Sequence, residues 1–210
     1  MAAQRYTSPL RAEQAAATRR RIVDAAGRLF AEEGYARTTL TRIAASAGVS
    51  VETVQAQGPK RSLLTAAVSV TTFGREGDEQ FISAPEGRAL LAAADLQEFI
   101  RRGARLIREF NERTYRMWRA FGAAAADDAD VDAEWSQRMA YIRGNIAEVV
   151  GVLDGRGWLR TDVARDELAT GLWILSTGEV FEKLVVRVGW SPDHYEDWLA
   201  RSMGDLLLPR

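Results

Sequence analysis

Cysteine is absent from the 210 residues, and histidine occurs once, at His194. The first absence excludes disulfides, thiolate nucleophiles and cysteine-ligated metals; the second excludes every multi-histidine centre. Metal chemistry would rest on carboxylates alone, and neither a metal nor a cofactor is expected. No apolar run approaches the roughly 18 residues of a membrane span. The stretch MAAQRYTSPLRAEQAAATRRR lacks the hydrophobic region of a signal peptide. A cytoplasmic protein without membrane contact is therefore expected. Lysine is also scarce: Lys60 and Lys183 are the only two among 28 cations, which fits a GC-rich coding background. No catalytic triad, phosphate loop or nucleotide fingerprint is present. The carboxylates left for general-base work, Asp127, Asp128, Glu134 and Glu179, read as structural. No catalytic residue is assigned, and an enzyme is not expected.

What remains is an ordinary globular composition, 47% hydrophobic and 27% charged, enough to bury a real core. The net charge of −1 hides an uneven distribution. Residues 1–65 carry 10 Lys and Arg against 5 Asp and Glu, leaving 18 against 24 for residues 66–210. A basic segment beside an acidic remainder suggests that a polyanion-binding part, residues 1–65, is joined to a part that binds no polyanion, residues 66–210.

Apolar residues recur with the helical period almost throughout, and no stretch alternates as a half-buried strand would, so the fold class is all-α. Thr18 can cap a first helix with Ile22, Ala25, Ala26, Leu29 and Phe30 on one face and Gly34 at its end. A second runs from Thr38 or Thr39 through Leu40, Ile43, Ala44 and Ala47 to Gly48. A third, capped by Ser50, extends to about Gln57, and Gly58 and Pro59 break the chain. Helix resumes near Arg61, loosens around Gly74, Gly77 and Pro85, and restarts at Asp95. Residues 111–126 form another helix or a kinked continuation. A turn at residues 127–132 precedes a helix ended by Gly155–Gly157. Asp166 opens a long apolar helix to about residue 188, and a last helix follows Ser191 and Pro192.

Residues 39–57 have the spacing of a helix-turn-helix: two short helices, small residues where they cross (Ala44, Ala47), and a glycine at the turn (Gly48). Spacing alone also fits an ordinary bundle corner. The longer run TRRRIVDAAGRLFAEEGYARTTLTRIAASAGVS resembles the N-terminal domain of the tetracycline-repressor (TetR) family of one-component transcriptional regulators. The likeness passes through Thr18, Ile22, Ala25, Ala26, Leu29, Phe30, Gly34, Tyr35, Thr38, Thr39, Ile43, Ala44, Ala47, Gly48, Val49 and Ser50 in unbroken register. The apolar helix, Gly189–Pro192 and HYEDWLARSMGDLLL resemble the family more loosely. The resemblance implies an all-helical homodimer. A three-helix head would read double-stranded DNA, and a helical C-terminal domain would bind a small effector and dimerise through its last two helices.

The family pattern after the turn, Ser-Lys-Gly-Thr-Leu-Tyr, two variable residues, then Phe, is departed from at Val51, Gln55 and Gly58. By resemblance the lysine and tyrosine positions touch the DNA backbone and the phenylalanine plugs the head core. Glu52 opposes phosphate unless it accepts from a cytosine amino group. The resemblance places the DNA-binding set at Thr39, Thr41, Ser50, Val51, Glu52, Thr53, Gln55, Ala56, Gln57, Lys60 and Arg61. Within it, Gln55 and Gln57 suit adenine, and Thr53 suits thymine. Thr39, Thr41, Ser50, Lys60 and Arg61 suit phosphate. Arg19, Arg20 and Arg21 either add arm contacts or form a solvated helix start.

In the second half, Tyr115, Trp118, Arg119, Trp135, Arg138, Tyr141 and Asn145 mix aromatics with orienting polar groups, as an effector pocket needs, although aromatics at this spacing also build plain core. Arg113 belongs to the same mixture. Glu179 reads as a polar residue at a helix interface, and His194 as a solvated histidine. Residues 168–188 and 195–207 carry more apolar surface than one protomer needs and are the expected homodimer interface. The expected function is a repressor released from a near-palindromic operator by an unidentified small apolar effector. The alternative is a helical dimeric ligand sensor or protein-binding module with weakened DNA binding.

Overall fold

The computed structural model describes residues 9–74, 76 and 80–209, and within them every regular element is helical. Helix α1 spans Pro9–Glu33, α2 Leu40–Ala47, α3 Val51–Gln55 and α4 Lys60–Phe73. A 3-10 turn, Phe81–Ser83, leads into α5, Pro85–Leu91. The long pair α6, Leu96–Asp127, and α7, Ala129–Gly155, follows. Helix α8, Arg165–Ser176, precedes α9, Gly178–Phe181, which runs on as a π-helix through Glu182–Arg187; α10 is Pro192–Leu207.

Two apolar cores organise these helices. The first gathers Ile22, Ala26 and Phe30 of α1, Ile43 and Ala47 of α2, Val54 of α3 and Leu63, Leu64 and Ala67 of α4. It continues without a break into Met117, Trp118 and Phe121 of α6 and Val131 of α7. The second joins Phe99, Ile100 and Ala104 of α6 to Val150 and Leu153 of α7, Leu168 and Leu172 of α8, Phe181 of α9 and Tyr195, Leu199, Met203 and Leu207 of α10. Helix α6 belongs to both cores and is the spine of the fold.

Several boundaries differ from the sequence expectation, each for a physical reason. Thr18 lies in the middle of α1 and caps nothing. The helix starts nine residues earlier, at Pro9, where proline's fixed φ suits the first turn and Ala12 and Ala15–Ala17 carry the best helix propensity. Helix α3 ends at Gln55 rather than Gln57, because Gly58 takes φ +114. Residues 111–126 continue α6 without a break. The acidic turn shrinks to Asp128, whose carboxylate accepts from the N–H groups of Asp130 (3.0 Å) and Val131 (3.3 Å). Asp130 and Asp132 then sit in the first turn of α7, where the helix dipole favours them. Gly77 lies outside the described residues. Helix α5, absent from the expectation, forms against the Phe81–Ser83 turn.

The long apolar helix is broken at Thr177, which is extended (φ −71, ψ 149). Asn111 of α6 compensates the freed backbone. Its amide nitrogen donates to the carbonyls of Ser176 (3.1 Å) and Thr177 (3.4 Å) and reaches the Tyr195 hydroxyl at 3.4 Å.

Two predictions follow from this packing. Tyr195 is wholly buried, and burial pushes its phenol up to about 12, with the Asn111 hydrogen bond pulling the other way. The native state therefore retains a proton that the unfolded chain loses near the ordinary tyrosine value of 10.0. The stabilisation is full below that value and is lost as pH rises towards 12. Urea unfolding should show a loss on the order of 2–3 kcal/mol across this window, absent in Tyr195→Phe. At Gly87, an added Cβ would lie 1.8 Å from the Phe81 carbonyl oxygen, a clash with backbone. Gly87→Ala should cost about 1–3 kcal/mol. Calorimetry should read this as a melting temperature lower by roughly 2–4 °C per kcal/mol.

Candidate functional site

The head is assembled by local capping. Thr39, extended at φ −111 and ψ 157, accepts from the Arg42 N–H at 3.2 Å and starts α2. Gly48 ends it in the left-handed region (φ 65, ψ 42), a conformation open to glycine at little cost, and the Val49 N–H closes back on the Ala44 carbonyl at 3.1 Å. Ser50 accepts from the Thr53 N–H at 3.2 Å and starts α3. Only Val54 of α3 is buried. Glu52, Gln55 and Ala56 are exposed, with Thr39, Thr41 and Ser50 exposed beside them; Val51, Thr53 and Gln57 are half-buried. The turn thus presents one short polar helix outward. Its Glu52 carboxyl is held below the usual range by its own backbone N–H and the Ser50 hydroxyl, so it stays ionised near neutrality.

Three more of the sequence-derived DNA residues, Lys60, Arg61 and Gln57, have partners outside α2 and α3. Lys60 turns inward: its ammonium donates to the carbonyls of Tyr35 (2.9 Å) and Thr38 (3.1 Å) and sits 4.0 Å from the Tyr35 ring centroid. Partial burial lowers its pKa. This clamp ties the α1–α2 loop to the start of α4, beside Gly58, where the family pattern has phenylalanine. Arg61 pairs with Asp130 (3.2 Å) and Glu134 (3.6 Å) of α7. Gln57 has left the helix, and its amide lies between Arg19 (3.3 Å) and the Thr53 carbonyl (3.5 Å). Arg19 also forks onto Glu76, with Nε at 2.9 Å and Nη2 at 2.6 Å, while Arg20 and Arg21 are exposed.

Helix α4 lies beside α7 through polar rungs that advance in step. Arg61 faces Asp130 and Glu134, Thr65 donates to Glu134, and the buried Arg138 donates to Ser69 at 3.1 Å. Beyond the last rung lies a cavity of about 240 Å³. Trp118, Trp135, Arg138, Tyr141 and Asn145 line it, as the sequence suggested. Tyr115 and Arg119 lie outside its lining. They fall past the edge of the α6 arc that faces the cavity, so the Tyr115 ring packs on Phe181 (5.4 Å) and Arg119 faces Glu182 (3.4 Å). Asn145 is also tied into the wall. Its oxygen accepts from the Phe81 N–H at 2.8 Å and its nitrogen donates to the Tyr141 carbonyl at 3.0 Å.

The sequence reading missed Ser69, Thr72, Asn111 and Trp173, which also line the cavity; the signal available was a pair of hydroxyl residues spaced i, i+3 inside apolar α4. Glu179 lines the cavity and is exposed. His194 is exposed, its ring stacked on Trp190 at 4.3 Å. Among the described residues no acidic or histidine cluster suits a metal ion, and no helix is long and apolar enough to cross a membrane.

Residues 22–55 match the family model described as bacterial regulatory proteins, tetR family. No curated protein matches the chain. Among solved structures, NalD of Pseudomonas aeruginosa, the secondary repressor of the MexAB-OprM multidrug efflux pump, superposes with a TM-score of 0.69 at 19% identity, over 93% of this chain and 98% of that one. SmeT in complex with triclosan gives 0.68 at 20% identity, over 91% and 92%. A TetR-family transcription regulator from Marinobacter aquaeolei VT8 gives 0.64 at 21% identity, over 95% and 100%. At these identities the structural likeness speaks for the fold, and the head carries the sequence match. Residues 22–55 thus carry the sequence likeness to that family, and the chain as a whole shares the fold of these structures.

Proposed function

We propose that the chain is a dimeric repressor that leaves a near-palindromic operator when a small, mainly apolar effector fills the cavity. The observation that carries this reading is helix α4. One end of it anchors the head through Lys60, and the other, through Val68, Ser69 and Thr72, is a wall of the cavity. An effector that moves this helix moves the helix-turn-helix with it. In this reading residues 1–65 are the DNA-binding part and residues 66–210 the effector and dimer part. That NalD is a repressor and that SmeT was solved with triclosan support repression and an apolar effector as the starting expectation.

On DNA, α3 enters the major groove with Gln55 as the principal base reader and Glu52 and Thr53 beside it. The exposed hydroxyls of Thr39, Thr41 and Ser50, at the starts of α2 and α3, take phosphates, with Arg20 and Arg21 adding charge from α1. Lys60 and Arg61 act by holding the head. For the dimer, residues 168–188 leave Ile174, Val186 and Val188 exposed by 50, 44 and 63%, a large apolar surface that a two-fold partner would cover. Residues 195–207 complete that face.

Titration of the purified protein with fragments from around its own coding region, across salt, tests the reading. Saturable binding to one near-palindrome is expected, with affinity falling steeply as salt rises. Gln55→Ala should cost about 1–3 kcal/mol and relax preference at one base position in each half-site. Glu52→Gln should tighten binding to every sequence at low salt. Lys60→Met, which strands two carbonyls, should lower unfolding stability by about 1–3 kcal/mol. Binding no better than to random duplex, with no salt slope, would instead favour the ligand sensor or protein-binding module.

A further inference from the structure

Asn111 of α6 is 1% exposed and lines the cavity. Its amide nitrogen is committed to the break between α8 and α9, where it donates to the carbonyls of Ser176 and Thr177. A carbonyl only accepts, so these two contacts fix which end of the amide is nitrogen and which is oxygen. Among the described residues nothing donates to Asn111 Oδ1. Thr72 Oγ1 is the one sealed side-chain polar atom without a partner there, so the Asn111 oxygen is not sealed. In a buried residue on the wall, it opens into the cavity.

The other polar groups of the lining differ from it. Asn145 has both ends of its amide occupied, the oxygen by the Phe81 N–H and the nitrogen by the Tyr141 carbonyl. The hydroxyls of Ser176 and Thr177 spend their protons on the carbonyls of Trp173 (2.8 Å) and Ile174 (3.0 Å), which leaves them lone pairs to offer. Arg138 donates to Ser69, and the Thr72 hydroxyl, able to donate or accept, selects neither. Glu86, Arg113 and Glu179 are exposed and of both signs, so the lining sets no preference for net charge. Most of the remaining wall is hydrocarbon and aromatic, including Phe99, Ile107, Trp118, Trp135 and Ile142.

We infer that the cavity takes a mainly apolar molecule that carries a hydroxyl or N–H group and donates it to Asn111 Oδ1. The inference rests on the effector reading above and specifies its chemistry. An amide oxygen has lone pairs and no proton, so only a donor satisfies it. Water can fill that place in the ligand-free protein. A ligand that expels the water and brings no donor strands the oxygen among apolar walls, and its affinity falls accordingly.

Asparagine occurs only at these two positions in the chain. Full-length protein isotope-labelled at the asparagine side-chain carbonyl carbon therefore gives two magnetic-resonance signals, assigned with Asn145→Gln. Four probes of one skeleton are titrated into it: para-butylphenol and para-butylaniline, which donate and are neutral in ordinary buffer, and para-butylanisole and para-butyltoluene, which do not donate. The donors are expected to bind roughly tenfold more tightly than the other two. At saturation they should move the Asn111 signal downfield beyond any shift that the toluene produces, with the Asn145 signal unmoved. Asn111→Ala should bring the four affinities together; should that variant fail to fold, the Asn111 signal of the unmutated protein decides. An anisole or toluene bound as tightly as the phenol, an Asn111 signal no different with phenol than with toluene, or no binding by any probe would overturn the assignment. Operator binding is measured on the same samples with and without probe. Donor-selective binding that leaves operator affinity unchanged would sink the effector reading and leave the ligand class standing; operator release by all four probes alike would do the reverse.

Discussion

The structure depends on α4 being gripped on two sides by different forces. Leu63, Leu64, Ala67 and Val68 bury hydrocarbon between α1 and α6, while Arg61, Thr65 and Ser69 meet Asp130, Glu134 and Arg138 of α7 through polar contacts. The apolar grip supplies most of the attachment, since burial scales with area and exposed ion pairs contribute little each. The polar rungs fix register. A slip of one residue along α7 would turn every rung away from its partner, so the head has one seat on the body. The core passes from Phe30 to Phe121 without interruption, and the two parts that the charge distribution suggests are mechanically one.

The head was largely legible in the sequence because it is built from short-range interactions. Thr39 and Ser50 as caps, Gly48 as the turn, and Ile43, Ala44 and Ala47 as the inward face are all decided within a few residues. What was hidden depends on distant partners. The inward turn of Lys60 is set by carbonyls at Tyr35 and Thr38, and the break at Thr177 by an amide on α6. Neither leaves a local trace. In the cavity, residue types pointed to the right helices but not to the facing arc: Trp118 and Arg138 look inward, while Tyr115 and Arg119 stand just beyond the edge. A helix turns about 100° per residue, so the periodicity that finds a face does not fix its borders.

Helix α3 shows how tertiary contacts redistribute chemistry that composition only counts. The first 65 residues carry a charge of +5, yet Arg19, Arg42 and Arg61 are paired with carboxylates and Lys60 is clamped to carbonyls. The exposed face of α3 carries no cation among its residues and one ionised carboxylate, Glu52. The basic balance of the segment therefore overstates the positive field at this helix.

The unequal fastening of the head has one more consequence. Added electrolyte weakens partly exposed charge pairs over a screening length of about 10 Å at 0.1 M, while hydrocarbon contacts scarcely respond. Ionic strength therefore acts on one flank of α4 and spares the other. Screening weakens the Arg61 pairs with Asp130 and Glu134, while the α6 seam keeps its hold. The attachment of the head therefore carries a salt response of its own, confined to the α7 side of α4 and small beside the apolar grip.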